Sequence, residues 1–236
     1  MRIFSISPAG VTESDALPTQ APAQGYVWIA CTRAELEARQ AAIQSTLQAL
    51  SGATLVELHV SDLLNAQLTS HYETTSQYDL LVFRRLATGP GEGTVPANGD
   101  TQQPPRKRSG PPVLRRIDTT PVGFAVFDTV LLTVHPADCT ARDAYAARLL
   151  ASAPAAEGAE ARPANARLPV SPADLMLRVV NQIVDGYLAL RRELSRQLDH
   201  WQAELLNPRT RFSNWGALLE ARLTLHQLDD TCEDQR

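Results

Sequence analysis

The chain has 236 residues, with 26 acidic and 22 basic side chains and a formal charge of −4. That length can bury a core without cross-links, and 44% hydrophobic with 20% charged residues is ordinary for a globular protein. The acidic balance argues against a nucleic-acid partner, which requires a basic face to neutralise phosphates.

The one tight basic run, Arg106-Lys107-Arg108, sits among prolines and glycines. Three widely spaced cysteines, Cys31, Cys139 and Cys232, make no disulfide framework and favour a reducing compartment. The N-terminus, MRIFSISPAG, lacks the apolar core of a signal peptide. No stretch approaches the roughly 18–20 apolar residues of a membrane helix, so the chain as it stands reads as soluble.

In chain order, Ile3–Ser7 and Tyr26–Ala30 read as short strands. Thr32 and Glu35 have the spacing of a capping box, and Leu36, Ile43, Leu47 and Leu50 follow along one helical face until Gly52 ends the run. Leu55–His59 is a further apolar alternation, and Ser61-Asp62-Leu63-Leu64-Asn65 reads as the start of a short helix. Tyr78–Leu86 is a strong strand. Residues 87–112 are rich in Pro, Gly and polar side chains and predict a mobile loop.

Val122–Phe127 and Val130–His135 flank Asp128-Thr129, the spacing of a tight hairpin, although the pair lacks the glycine such turns prefer. Residues 140–151 are Ala-rich and helical. Residues 153–170, Ala/Pro-rich with scattered charge, predict a linker between an α/β domain over 1–152 and a helical hairpin over 171–236. Ser171-Pro172-Ala173-Asp174 is a helix start. Leu175, Val179, Ile183, Tyr187, Leu190, Leu194, Leu198, Trp201 and Leu205 then recur about every 3.75 residues, close to a straight helix. Asn207-Pro208 breaks the run, and Phe212, Trp215, Leu219 and Leu223 begin a helix expected to fold back on the first. That last helix reaches residue 236 without a terminating residue, which predicts a native chain that continues.

Few residues carry chemistry. Asp62 is a candidate metal ligand, against the plainer reading of an acid in the first turn of its helix, where the dipole favours it. Asp229 with Glu233, and Asp230 with Asp234, share helical faces at a spacing of four. Such oxygen pairs suit Mg²⁺ or Ca²⁺, but a solvated face is the plainer reading. His135 and Cys139, with His59 and Cys31, lack zinc-ligand spacing, so structural use is expected. There is no Gly-rich phosphate loop, nucleophile elbow or paired metal-binding histidine, and no enzyme activity is expected.

The order of SDLLNAQLTSHYETTSQYDLLVFRRL at 61–86, PVGFAVFDTVLLTVHP at 121–136 and SPADLMLRVVNQIVDGYLALRRELSRQLDHWQAELLNP at 171–208 resembles the CorA family of divalent-cation transporters. It includes an acid before a Leu-Asn pair and the element Asp185-Gly186-Tyr187.

The resemblance implies an α/β/α sandwich with a central mixed sheet plus a C-terminal antiparallel helical hairpin. It implies a cytosolic regulatory and assembly domain, cut before the stalk and the two membrane helices. The family's Gly-Met-Asn pore signature is missing, the only methionines being Met1 and Met176. It further implies a homopentamer in the cell's inner membrane with this domain in the cytoplasm. The cargo and regulatory cation would be Mg²⁺, with Co, Ni or Zn as alternatives; a zinc-transporting branch shares the architecture. Asp62 falls where the family places an acid of the regulatory site between subunits, and the partner acid lies on the stalk; the acids at 229–234 do not match it. The competing reading is a free-standing α/β interaction or metal-sensing module.

Overall fold

The computed structural model describes residues 1–87, 118–152, 168–207 and 215–235. The predicted loop at 88–112, the basic run Arg106–Arg108, most of the linker at 153–167, and Pro208 and Phe212 lie outside the described residues. Contacts divide the chain into two compact units, Met1–Arg85 with Thr120–Ile183, and Leu86–Thr119 with Val184–Arg236.

The first unit is built on a seven-stranded mixed sheet. Its strands are β1 (Arg2–Ser7), β2 (Gly10–Ser14), β3 (Tyr26–Thr32), β4 (His71–Thr74), β5 (Asp79–Leu86), β6 (Thr119–Val126) and β7 (Val130–His135), in the order β2-β1-β3-β7-β6-β5-β4. β3 and β7 pair in parallel at the centre, while β1/β2, β1/β3, β4/β5 and β6/β7 pair antiparallel.

Every residue of β7, and every residue of β3 except Thr32, is buried. That explains why both read as unbroken apolar runs rather than as alternations. The β6–β7 turn consists of Asp128 and Thr129, as the spacing implied: Phe127 N–H donates to the Val130 carbonyl at 2.9 Å. Thr129 Oγ1 donates to the Leu50 carbonyl at 2.8 Å, a bond a glycine there could not make.

Helices cover both faces. On one, α1 (Arg33–Ser51) and α2 (Glu57–Leu64) pack Leu36, Ile43, Leu47, Val60 and Leu63 against Ile3, Val27, Ile29, Leu132 and Val134. The predicted capping box is present: Glu35 N–H donates to Thr32 Oγ1 at 3.2 Å and Thr32 N–H to Glu35 Oε2 at 2.8 Å. Gly52 closes α1 at φ 73°, a left-handed turn that only glycine takes without strain. On the other face, Phe4 stacks on Trp28 with ring centroids 4.8 Å apart, and Tyr145 of α3 (Thr140–Ser152) meets Trp28 edge-on. Trp28 Nε1–H donates to Thr133 Oγ1 at 3.0 Å, so the buried indole is satisfied. The α/β/α sandwich is therefore as expected.

α4 (Pro172–Leu206) starts as its sequence signals. Asp174 N–H donates to Ser171 Oγ at 3.1 Å, and Asp174 holds Arg178 one turn on, at 2.9 Å. Leu175, Val179 and Ile183 are buried in the first unit.

In the second unit, α5 (Trp215–Asp234) runs antiparallel to the later part of α4. Gln235 Nε2 donates to Tyr187 Oη at 3.1 Å, and Leu225, Leu228 and Cys232 line a cleft with Leu188, Leu194 and Leu198. The apolar stripe thins along α4: Leu194 is buried, but Leu198 and Leu205 are exposed. Among the described residues no helix is long and apolar enough to cross a membrane.

Candidate functional site

The helix that carries Asp62 begins earlier than its sequence suggested. Leu55–His59 is no extended alternation: α2 starts at Glu57, so Asp62 lies in its last turn rather than its first. The periodicity is that of a helix, with His59, Val60 and Leu63 buried and Leu58 exposed. Leu58 and Asp62, four residues apart, share the outward face. This removes the plain explanation of Asp62, because a carboxylate near a helix C-terminus is opposed by the dipole rather than favoured.

Three contacts fix α2. Its start has no side-chain cap; Val56 N–H donates instead to Tyr78 Oη at 3.1 Å. The same hydroxyl lies 2.7 Å from His59 Nδ1, and His59 Nε2 lies 3.2 Å from Glu73 Oε2 on β4. A buried imidazole is thus held at both nitrogens, pinning the helix to β4 and β5. At the other end Leu63 seats over Gly123 of β6, where a Cβ would fall 2.2 Å from Leu63 Cδ2. Gly123 is there for close approach.

Asp62 itself is half-exposed, and its carboxylate has no hydrogen-bond or ion-pair partner among the described residues. Nor do three acidic, His or Cys side chains stand together as a metal site among them. A single carboxylate is one oxygen donor of the kind hard cations take. Asp229, Asp230 and Glu233 are exposed on α5, and the Asp234 side chain lies outside the described residues.

His135 and Cys139 are both buried. Burial, followed by the Arg142 charge, holds the imidazole neutral and pulls the pKa of the His135 ring down to about 3, against the opposing charges of Asp143 and Glu35 and a bond to the Pro136 carbonyl. Burial raises the Cys139 thiol and pushes Cys31 up to about 12. Neither thiol is a ready nucleophile or metal ligand. Sequence reasoning missed the His59–Tyr78–Glu73 chain, since its members come from three elements and only His59 with Tyr78 carried any signal of burial.

No protein-family model and no curated protein matches this sequence. Solved structures do. The chain superposes over its whole length on the full-length CmaX protein at TM-score 0.67 and 14% identity, spanning 60% of that chain. It superposes over 99% of its length on the CorA magnesium transporter from Methanocaldococcus jannaschii at TM-score 0.64 and 15% identity, spanning 59% of that chain. The ZntB cytoplasmic domain from Vibrio parahaemolyticus RIMD 2210633 matches at TM-score 0.50 and 13% identity, with 90% of it spanned. The resemblance drawn from residues 61–86, 121–136 and 171–208 is thus met by the fold: this chain is built as the soluble domain of a CorA-type transporter is built.

Proposed function

We propose that this chain is the cytosolic regulatory and assembly domain of a CorA-like transporter of divalent cations. The full-length protein would be a homopentamer of the inner membrane with this domain in the cytoplasm. Its cargo is Mg²⁺, with Co, Ni or Zn as the alternatives. The observation that carries the reading is the superposition of 99% of the chain on 59% of a magnesium transporter. Regulation rests on Asp62. An unpartnered carboxylate beside the exposed Leu58, on a helix pinned from behind, supports a contact with a neighbouring copy there. A cation shared there would tie its own binding to subunit packing, a coupling free energy between metal and assembly; its loss would leave like charges facing one another. The exposed row Trp215, Leu219 and Leu223 on α5 supports assembly in the same way.

The competing reading is a free-standing sensing module. The gene beyond codon 236 separates the two. Two apolar stretches of about 20 residues are expected there, and a stop codon in that place would sink the transporter reading.

A further inference from the structure

β3 and β7 end side by side, Thr32 opposite His135. From there the chain leaves in opposite directions: α1 buries Leu36 and Ile43 on one face, while α3 brings Tyr145 against Trp28 on the other. Where helices leave the carboxyl ends of neighbouring parallel strands toward opposite faces is the usual place for ligands in an α/β sheet.

Cationic side chains gather at this end of the sheet. Arg33, the first residue of α1, donates through Nη2 to the Pro121 carbonyl of β6. Arg85 of β5, 2% exposed, reaches Asp138 Oδ1 in the β7–α3 turn at 2.9 Å. Arg142 of α3 points Nη1 at His135 Nδ1 over 3.4 Å.

The nearby carboxylates are already engaged. Asp138 holds Arg85, Asp143 holds Arg142 at 2.7 Å, and Glu35 holds the N-terminal amine and the α1 cap. Among the described residues Arg33 alone, of Arg33, Arg85 and Arg142, has a backbone carbonyl as its sole hydrogen-bond partner. Burial, with Arg84 and Arg85 close by, holds its guanidinium pKa below the ordinary value. A half-buried cation with like charges beside it and no counter-ion is expensive to keep.

Unsatisfied polar atoms collect at the same end. Arg33 Nε, Thr120 Oγ1 and His135 Nε2 are buried and meet no hydrogen-bond partner among the described residues, and His135 is 1% exposed. Native folds leave few such groups, and an ion is one of the standard reasons. Gly123 pairs with Val134, so strand alternation puts Thr120 and His135 on one face of the sheet, the face α3 covers. Arg33 reaches the residue next to Thr120. Arg142 Nη1 lies 3.4 Å from Nδ1, the contact made by the tautomer that carries its proton on Nε2. The guanidinium N–H, the imidazole N–H and the hydroxyl are therefore all available donors, and what they lack is an acceptor.

We infer that this end of the sheet binds a small oxyanion of the phosphate class, with Arg33 as its charged anchor and His135 Nε2 and Thr120 Oγ1 as its neutral donors. The site is independent of the cation-transport reading and lies on other elements than Asp62. An oxyanion would supply the counter-charge Arg33 lacks and tie α1 to the start of β6.

The test titrates the whole chain with sodium phosphate against sodium chloride at equal ionic strength, following thermal unfolding and binding heat. A parallel arm with ADP distinguishes a phosphate carried on a nucleotide from the free ion. Saturable stabilisation by phosphate or ADP but not by chloride is expected. Arg33→Gln should weaken it by at least about tenfold, and Arg33→Lys and Thr120→Val by less. Arg196→Gln, on the exposed face of α4, should leave it unchanged. No saturable response to either ligand, or an unaltered response in Arg33→Gln with its circular dichroism intact, overturns the inference.

Discussion

β3 and α5 are both rich in apolar residues and dispose of them in opposite ways. Six of the seven residues of β3 are buried, shared between two covered faces of one sheet. On α5, Trp215, Leu219 and Leu223 are 62%, 61% and 60% exposed, and their spacing of four puts them in one row. Full burial of each such side chain would stabilise by about 1.5–3 kcal/mol, and at these exposures most of that gain is unrealised. The strand is finished within the first unit. The helix carries a surface suited to a partner, which is where the proposed assembly would draw its energy.

Substitutions should separate the two regions clearly. Trp28→Ala removes a stacked, hydrogen-bonded indole from the sheet and should cost about 3–5 kcal/mol, read as a drop in the urea midpoint. Gly123→Ala drives a Cβ into Leu63 and should cost about 1–3 kcal/mol, with α2 becoming the first segment to exchange its amide hydrogens. Leu219→Ser, by contrast, should change the stability of the chain by less than about 0.5 kcal/mol, while weakening assembly of the full-length protein in sedimentation. A large loss of stability from Leu219→Ser would show that α5 is packed like β3, and the comparison would fail.

The pH dependence gives a smaller effect with a definite sign. His135 is neutral and buried, its pKa drawn down to about 3. The unfolded chain takes up a proton there near the ordinary value of about 6.5, so it binds more protons than the fold between those limits. Stability is then complete above about pH 6.5 and declines as the pH falls toward 3. His135→Gln should flatten the thermal-unfolding midpoint over that window; an unchanged slope would mean that other groups set it.

Much of the fold was legible where local chemistry and burial agree. Thr32, Glu35 and Gly52 bracket α1 because capping is decided within a few residues. The β6–β7 hairpin follows from two apolar runs around two residues. β2 and β4 were not legible: as edge strands they bury only Val11 between them, and Glu13, Tyr72 and Glu73 are exposed, so no alternation marks them. The start of α2 was misread because Leu55, Leu58 and His59 fit a strand until His59 finds Tyr78 and Glu73, partners that tertiary structure alone supplies. Asp62 was picked out by its place in a motif; its unpartnered state and its position in the last turn could be seen only after folding. For Arg33, the sequence shows only a first-turn basic residue, with no hint that Arg84 and Arg85 of β5 would lie close by.

The most direct test of the regulatory reading is limited proteolysis of the full-length protein with and without Mg²⁺, comparing wild type with Asp62→Ala. Mg²⁺ should protect the wild type and lose most of that protection in the variant. Equal protection in both would contradict a role for Asp62 in sensing the cation.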